Sequence, residues 1–75
     1  MANVKETVIT AIENITGKDG VTEEMAFGAD IVLTSVNAMR LIYELETVLN
    51  IDKIPLEIVY EVETVKQLIE ELEKL

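Results

Sequence analysis

The chain has no cysteine and no histidine. Without a thiol it can form no disulfide, offers no thiolate nucleophile and builds no zinc–sulfur site. Without an imidazole it lacks the commonest general base and the commonest metal ligand, and no Ser-His-Asp triad can be assembled from its own residues. Basic residues are scarce: six lysines and arginines face fifteen aspartates and glutamates, for a net charge of −9. Nucleic-acid binders need a cationic footprint, so that class is disfavoured and partners presenting lysine and arginine are favoured. No apolar run approaches the roughly 18–20 residues that span a bilayer, and the basic N-terminus of a signal peptide is missing. A soluble, cytoplasmic protein is expected.

What is present is a short, apolar-rich chain. Its 75 residues are 49% hydrophobic, enough to fold despite the charge. A domain of this size usually buries only about 60% of the surface its unfolded chain exposes, which leaves little interior for an enclosed catalytic pocket. Carboxylates are plentiful, yet without a cleft they make a poor case for acid–base catalysis, and the EF-hand spacing for calcium is absent. No metal site is expected. No repeat, low-complexity tract or linker interrupts the sequence, so residues 1–75 are read as a single domain.

Val4, Val8, Ala11, Ile12 and Ile15 recur at helical spacing and predict a first helix over 3–15, with Ile9 widening its apolar face. Asn3 with Glu6 makes a capping-box-like start, and Gly17 is the stop. The connection over 17–34 exceeds the usual span of about 2–8 residues between helices. It needs anchors of its own, and Val21, Met25, Phe27, Ile31 and Leu33 are the candidates, with Asp30 expected to cap loop amides. Long, anchored loops often carry function, and this one leads directly to Ser35.

A second helix is expected over 35–50. Its buried stripe is drawn through Val36, Met39, Ile42, Leu45 and Leu49, with Leu41 and Val48 alongside, while Asn37, Arg40, Glu44 and Thr47 face solvent. Met25 and Met39 read as core filler. The segment after Ile54 alternates with period two through Leu56, Ile58, Tyr60 and Val62, a strand-like pattern. No second convincing strand exists to pair with it, so a short helix over about 56–61, opened by Pro55, is expected instead. The capping box Thr64-Val-Lys-Gln67 then launches a last helix to about Lys74, with Val65, Leu68, Ile69, Leu72 and Leu75 as its core face. The fold class is all-α.

Ser35 stands at the head of the second helix. First-turn N–H groups have no intrahelical partner there and the helix dipole is positive, a setting that suits a phosphate on the serine hydroxyl. By pattern alone it is equally an ordinary helix-start serine. Its surroundings say more. Phe27, Asp30, Ile31, Ser35 and Val36 fall at the spacing of the motif Phe-x-x-Asp-Leu-Gly-x-Asp-Ser-Leu. Leu45-Glu46 follows in the second helix, and Ile54-Pro55 and Val62-Glu-Thr-Val65 lead into the last one. Over nearly its whole length the chain resembles the acyl and peptidyl carrier protein family.

The resemblance implies an acyl-carrier-like four-helix bundle with three longer helices, a short third helix and a long first loop. It implies a non-catalytic carrier whose Ser35 receives a 4'-phosphopantetheine arm from coenzyme A, through a magnesium-dependent phosphopantetheinyl transferase. The arm would hold acyl or aminoacyl groups as thioesters. The partners implied are that transferase, an acyl-loading ligase or transferase, and ketosynthase-type or condensation-type enzymes, met by a monomer. Val36, Asn37, Met39 and Arg40, which follow Ser35 at the exposed head of the helix, are expected to form the contact strip. Leu56, Ile58, Val59 and Tyr60 are the candidates for an acyl cleft or docking patch. The chain departs from the family's pattern in two respects: Val32-Leu33 stand where it has a glycine, and Thr34 where it has an aspartate. The second helix also lacks the strongly acidic face of fatty-acid carriers, and Ala38-Met-Arg-Leu41 is similar to a peptidyl-carrier pattern. A carrier of a specialised fatty-acid, polyketide or peptide pathway is therefore expected. The alternative, which the departures support, is an unmodified helical interaction module with a carrier-like fold.

Overall fold

The computed structural model describes residues 3–75 and contains four α-helices: α1 (Val4–Thr16), α2 (Ser35–Leu49), α3 (Glu57–Glu61) and α4 (Val65–Glu73). The described residues form an all-helical bundle in which α1 packs against α2 and α4, and α3 packs against α4.

Three helices open on a side-chain cap. Asn3 Oδ1 accepts from the Glu6 N–H (3.2 Å), Thr34 Oγ1 from the Asn37 N–H (3.1 Å), and Thr64 Oγ1 from the Gln67 N–H (3.2 Å). Each bond satisfies one first-turn donor that has no intrahelical acceptor. Gln67 returns the bond one residue early, its Oε1 accepting from the Glu63 N–H at 2.7 Å rather than from that of Thr64. α1 and α2 close on left-handed residues, Gly17 (φ 73°) and Asn50 (φ 56°). Glycine pays no Cβ penalty there, and asparagine is among the side chains that best tolerate the region.

The core is one cluster. Val8, Ala11 and Ile12 of α1 meet Ala38, Leu41, Ile42 and Leu45 of α2 and Val65, Leu68, Ile69 and Leu72 of α4, all buried. The stripe on α2 differs from the expected one. Val36 is 62% exposed, Met39 54% and Val48 50%, whereas Ala38-Leu41-Ile42-Leu45 faces inward at positions i, i+3, i+4 and i+7. Ile42 and Leu45 fit both frames, so apolar periodicity alone did not separate them. Ala38 does separate them: it is buried in the core, which fixes the inward face of α2. Met39 is thus a surface residue rather than core filler. Leu75, expected on the α4 core face, is also exposed.

α3 is a helix despite its period-two pattern. Val59 alone is buried, Leu56, Ile58 and Val62 are half-buried and Tyr60 is exposed. The turn begins with the Ile58 N–H on the Pro55 carbonyl (3.1 Å) and the Val59 N–H on that of Leu56 (3.1 Å), so Pro55 opens the segment without needing a donor of its own.

The first loop, over 17–34, is fixed in two ways. Val21 and Ile31 are buried in the core, with Met25, Phe27 and Leu33 packed against it. In addition, its backbone pairs with the approach to α4. The Phe27 N–H donates to the Glu63 carbonyl (2.9 Å), the Val65 N–H to that of Met25 (3.0 Å), and the Lys66 N–H to that of Glu23 (2.9 Å).

Candidate functional site

Ser35 is the only serine in the chain and is exposed. Its position follows from the residues on either side. Upstream, the loop closes into a tight knot: the Asp30 and Ile31 N–H groups donate to the Ala26 carbonyl (2.9 and 3.1 Å), and the Asp30 carboxylate accepts from the Ala26 N–H (2.9 Å). Asp30 is therefore a loop cap, as its residue type suggests. Ile31 anchors the knot in the core, and only Val32-Leu33-Thr34 separate it from the helix. Thr34 then takes the N-cap with its own hydroxyl, and its carbonyl accepts from the Ala38 N–H (2.8 Å).

Ser35 consequently occupies the first helical position with its side chain free of capping duty. Its own N–H and that of Val36 precede the first possible intrahelical acceptor, and neither meets a protein acceptor among the described residues. An anion bonded to the Ser35 oxygen would lie at the positive end of a 15-residue helix. Among the described residues no polar or charged side chain is buried, and no group of three or more Asp or Glu gathers as a metal site would require. A serine hydroxyl is a poor nucleophile unaided, and the sequence has no histidine to act as its base.

Beyond Ser35, α2 turns an apolar face to solvent. Val36 and Met39 are exposed, Arg40 stands beside them and Asn37 is half-buried. Tyr43, 72% exposed, extends the row by one more turn. Val36, Met39 and Tyr43 are spaced i, i+3 and i+7, opposite the buried stripe. With Ile15 and Glu44 they line an open groove of about 390 Å³. Residue type and motif did not single out Tyr43. The signal that finds it is its phase: it lies four residues after Met39 and between the inward-facing Ile42 and Leu45.

The family comparisons, the curated proteins and the solved structures yield no match to this chain.

On the other side of the loop, the four apolar candidates of the third helix do not converge. Val59 and Tyr60 line a groove of about 250 Å³ with Phe27, Ile31, Val32, Leu33 and Val62, next to the approach to Ser35. Ile58 instead lines a groove between α3 and α4 with Glu61, Val62, Gln67, Glu70 and Glu71. Leu56 packs against the core. Val32, where the carrier motif has glycine, is 70% exposed, and it stands at the edge of the Val59–Tyr60 groove.

Proposed function

We propose that this chain is a carrier protein that holds acyl or aminoacyl intermediates on a 4'-phosphopantetheine arm attached to Ser35. The observation that carries the reading is the exposed, uncommitted Ser35 hydroxyl at the first position of α2, delivered by a loop that is anchored on both sides. The site fits a phosphodiester: Thr34 performs the capping, so Ser35 can be esterified without uncapping the helix, and the first-turn N–H groups and dipole favour the phosphate charge. The arm supplies a thiol on which cargo is held as a thioester. Attachment joins the serine Oγ to the phosphorus of coenzyme A and releases adenosine 3',5'-bisphosphate. The serine proton goes to a base on a separate magnesium-dependent transferase, since this chain has no histidine to serve. The loading and condensing enzymes meet the same face of α2.

The test is the intact mass after incubation with coenzyme A, magnesium and a broad-specificity phosphopantetheinyl transferase, with Ser35→Ala alongside. The expected result is a gain of one phosphopantetheinyl group in the parent and none in the variant. The second reading, an unmodified helical interaction module, is favoured by the exposed apolar face of α2. Protein purified from its native source without the arm would establish it and overturn the carrier reading.

A further inference from the structure

The chain's charge and its exposed apolar surface lie in different places. Six glutamates gather after Pro55, at positions 57, 61, 63, 70, 71 and 73, and all but Glu71 are exposed. The outer face of α2 has another character. It presents Val36, Met39 and Tyr43, with Thr47 exposed beyond them. Its charges are Arg40, exposed, and Glu44, half-buried at the edge. Glu46 is committed elsewhere, its carboxylate accepting from the Ile54 N–H at 2.7 Å. In a chain of net charge −9, this face is close to neutral.

Arg40 is the sole arginine in the sequence. The ion pairs among the described residues are Lys5–Glu23 and Lys74–Glu71, and Arg40 belongs to neither. Its guanidinium is thus in no ion pair among the described residues, and Glu44, which lines the same groove, is the acid nearest to it along the helix. Tyrosine, methionine and arginine are the side chains enriched at the centres of protein interfaces, where lysine, glutamate and aspartate are depleted. The α2 face carries that composition and starts one residue beyond Ser35.

We infer that the enzymes acting on Ser35 dock on α2 through an apolar surface that carries a carboxylate opposite Arg40, and not through a basic patch. The inference rests on the carrier reading and specifies the partner's chemistry. Met39 and Tyr43 fill apolar recesses of the partner, while Arg40 makes a bidentate contact with its Asp or Glu and fixes the register along the helix. The acidic surface of α3 and α4 stays outside the contact. Binding of this kind depends weakly on salt, because its energy comes from desolvated contacts rather than from screened charges.

The probe is a broad-specificity phosphopantetheinyl transferase with coenzyme A and magnesium, and the readout is kcat/KM for modification of Ser35. Met39→Asp and Arg40→Glu are each expected to lower it about tenfold or more, and Arg40→Lys, which keeps the charge but not the bidentate fork, to recover only part of the loss at that position. Glu61→Gln with Glu70→Gln is expected to leave it within about twofold. Between 50 and 500 mM NaCl the parent is expected to change by less than about threefold. All the substituted side chains are exposed, and circular dichroism of each variant is the check that it remains folded. If the α2 variants matched the parent while the rate fell steeply with salt or with the Glu variants, docking would be through the acidic surface and the inference overturned. A dimer in sedimentation that Met39→Asp dissolves would assign the face to a second copy instead. A parent chain that is never modified would remove the carrier reading itself, a result distinct from either.

Discussion

A hydroxyl at a helix N-cap is occupied by its capping bond, so a helix that must be capped and also present a free hydroxyl needs two such residues in succession. Thr34 and Ser35 are that pair. Thr34 Oγ1 holds the Asn37 N–H at 3.1 Å, and Ser35 stands next to it exposed. The carrier motif has aspartate at the Thr34 position, and aspartate is among the best N-caps. The departure in side-chain identity thus keeps the local role. Thr34→Ala is expected to lower stability by about 1 kcal/mol, while Thr34→Asp stays within about 0.5 kcal/mol of the parent. Urea denaturation distinguishes them, and an alanine variant as stable as the parent would mean that the cap contributes nothing. The sequence places the opening of α2 correctly because the capping signal is local. It does not say which of two adjacent hydroxyls performs the capping, a matter settled by where Ile31 anchors the preceding loop.

At the scale of elements, α1 and α2 end in the same way. A left-handed residue closes each helix, and a glutamate one turn earlier reaches forward to the N–H of a buried aliphatic residue eight positions on. Glu13 Oε2 accepts from the Val21 N–H (3.1 Å) and Glu46 Oε2 from the Ile54 N–H (2.7 Å). Val21 and Ile54 are both core residues. Their N–H groups lie in loops, where no strand or helix supplies an acceptor, and the glutamates supply it instead. Glu46→Ala removes the acceptor and is expected to cost about 1–3 kcal/mol, the penalty of an unsatisfied, largely buried donor. Glu46→Gln keeps a carbonyl oxygen in reach and should cost less. Hydrogen exchange at the Ile54 amide provides the check: it should quicken strongly in the alanine variant and modestly in the glutamine one, and equal protection in all three would refute the clasp. Glu46 was legible only as part of a Leu-Glu motif, because its partner lies across a loop whose path no local pattern reveals. The outer face of α2 was half legible for a related reason. Val36 and Met39 fit both an apolar stripe and a contact strip, and only the burial of Ala38 in the core decides between them.

At the scale of the molecule, most of the fold follows from local rules. Caps and apolar periodicity place α1, α2 and α4, α3 follows from Pro55 and the lack of any strand to pair with it, and the apolar anchors of the first loop stand out by residue type alone. The pairing of that loop with the approach to α4 does not, since it joins residues such as Met25 and Val65 that are distant in sequence and carry no mark of each other. That non-local seam ties the backbone at Glu23 and Glu63 to the start of α4, and the net charge of −9 is held on a molecule whose radius of gyration is only 10.9 Å. The Debye length is about 30 Å at 0.01 M salt and about 8 Å at 0.15 M. At the lower salt concentration every carboxylate therefore feels most of the others, and at the higher one only its neighbours. Self-repulsion opposes the compact state, so screening should favour it. The two surface ion pairs cannot reverse this trend, because exposed pairs contribute little and are themselves weakened by salt. The urea midpoint at pH 7 is thus expected to rise between 0.01 and 0.15 M NaCl, by an amount equivalent to roughly 1 kcal/mol. Glu70→Gln with Glu73→Gln should raise the low-salt midpoint and shrink the salt effect. A midpoint that fell with added salt would show that attractive pairs outweigh the repulsion, and the charge on α3 and α4 would then need a stabilising partner within the chain.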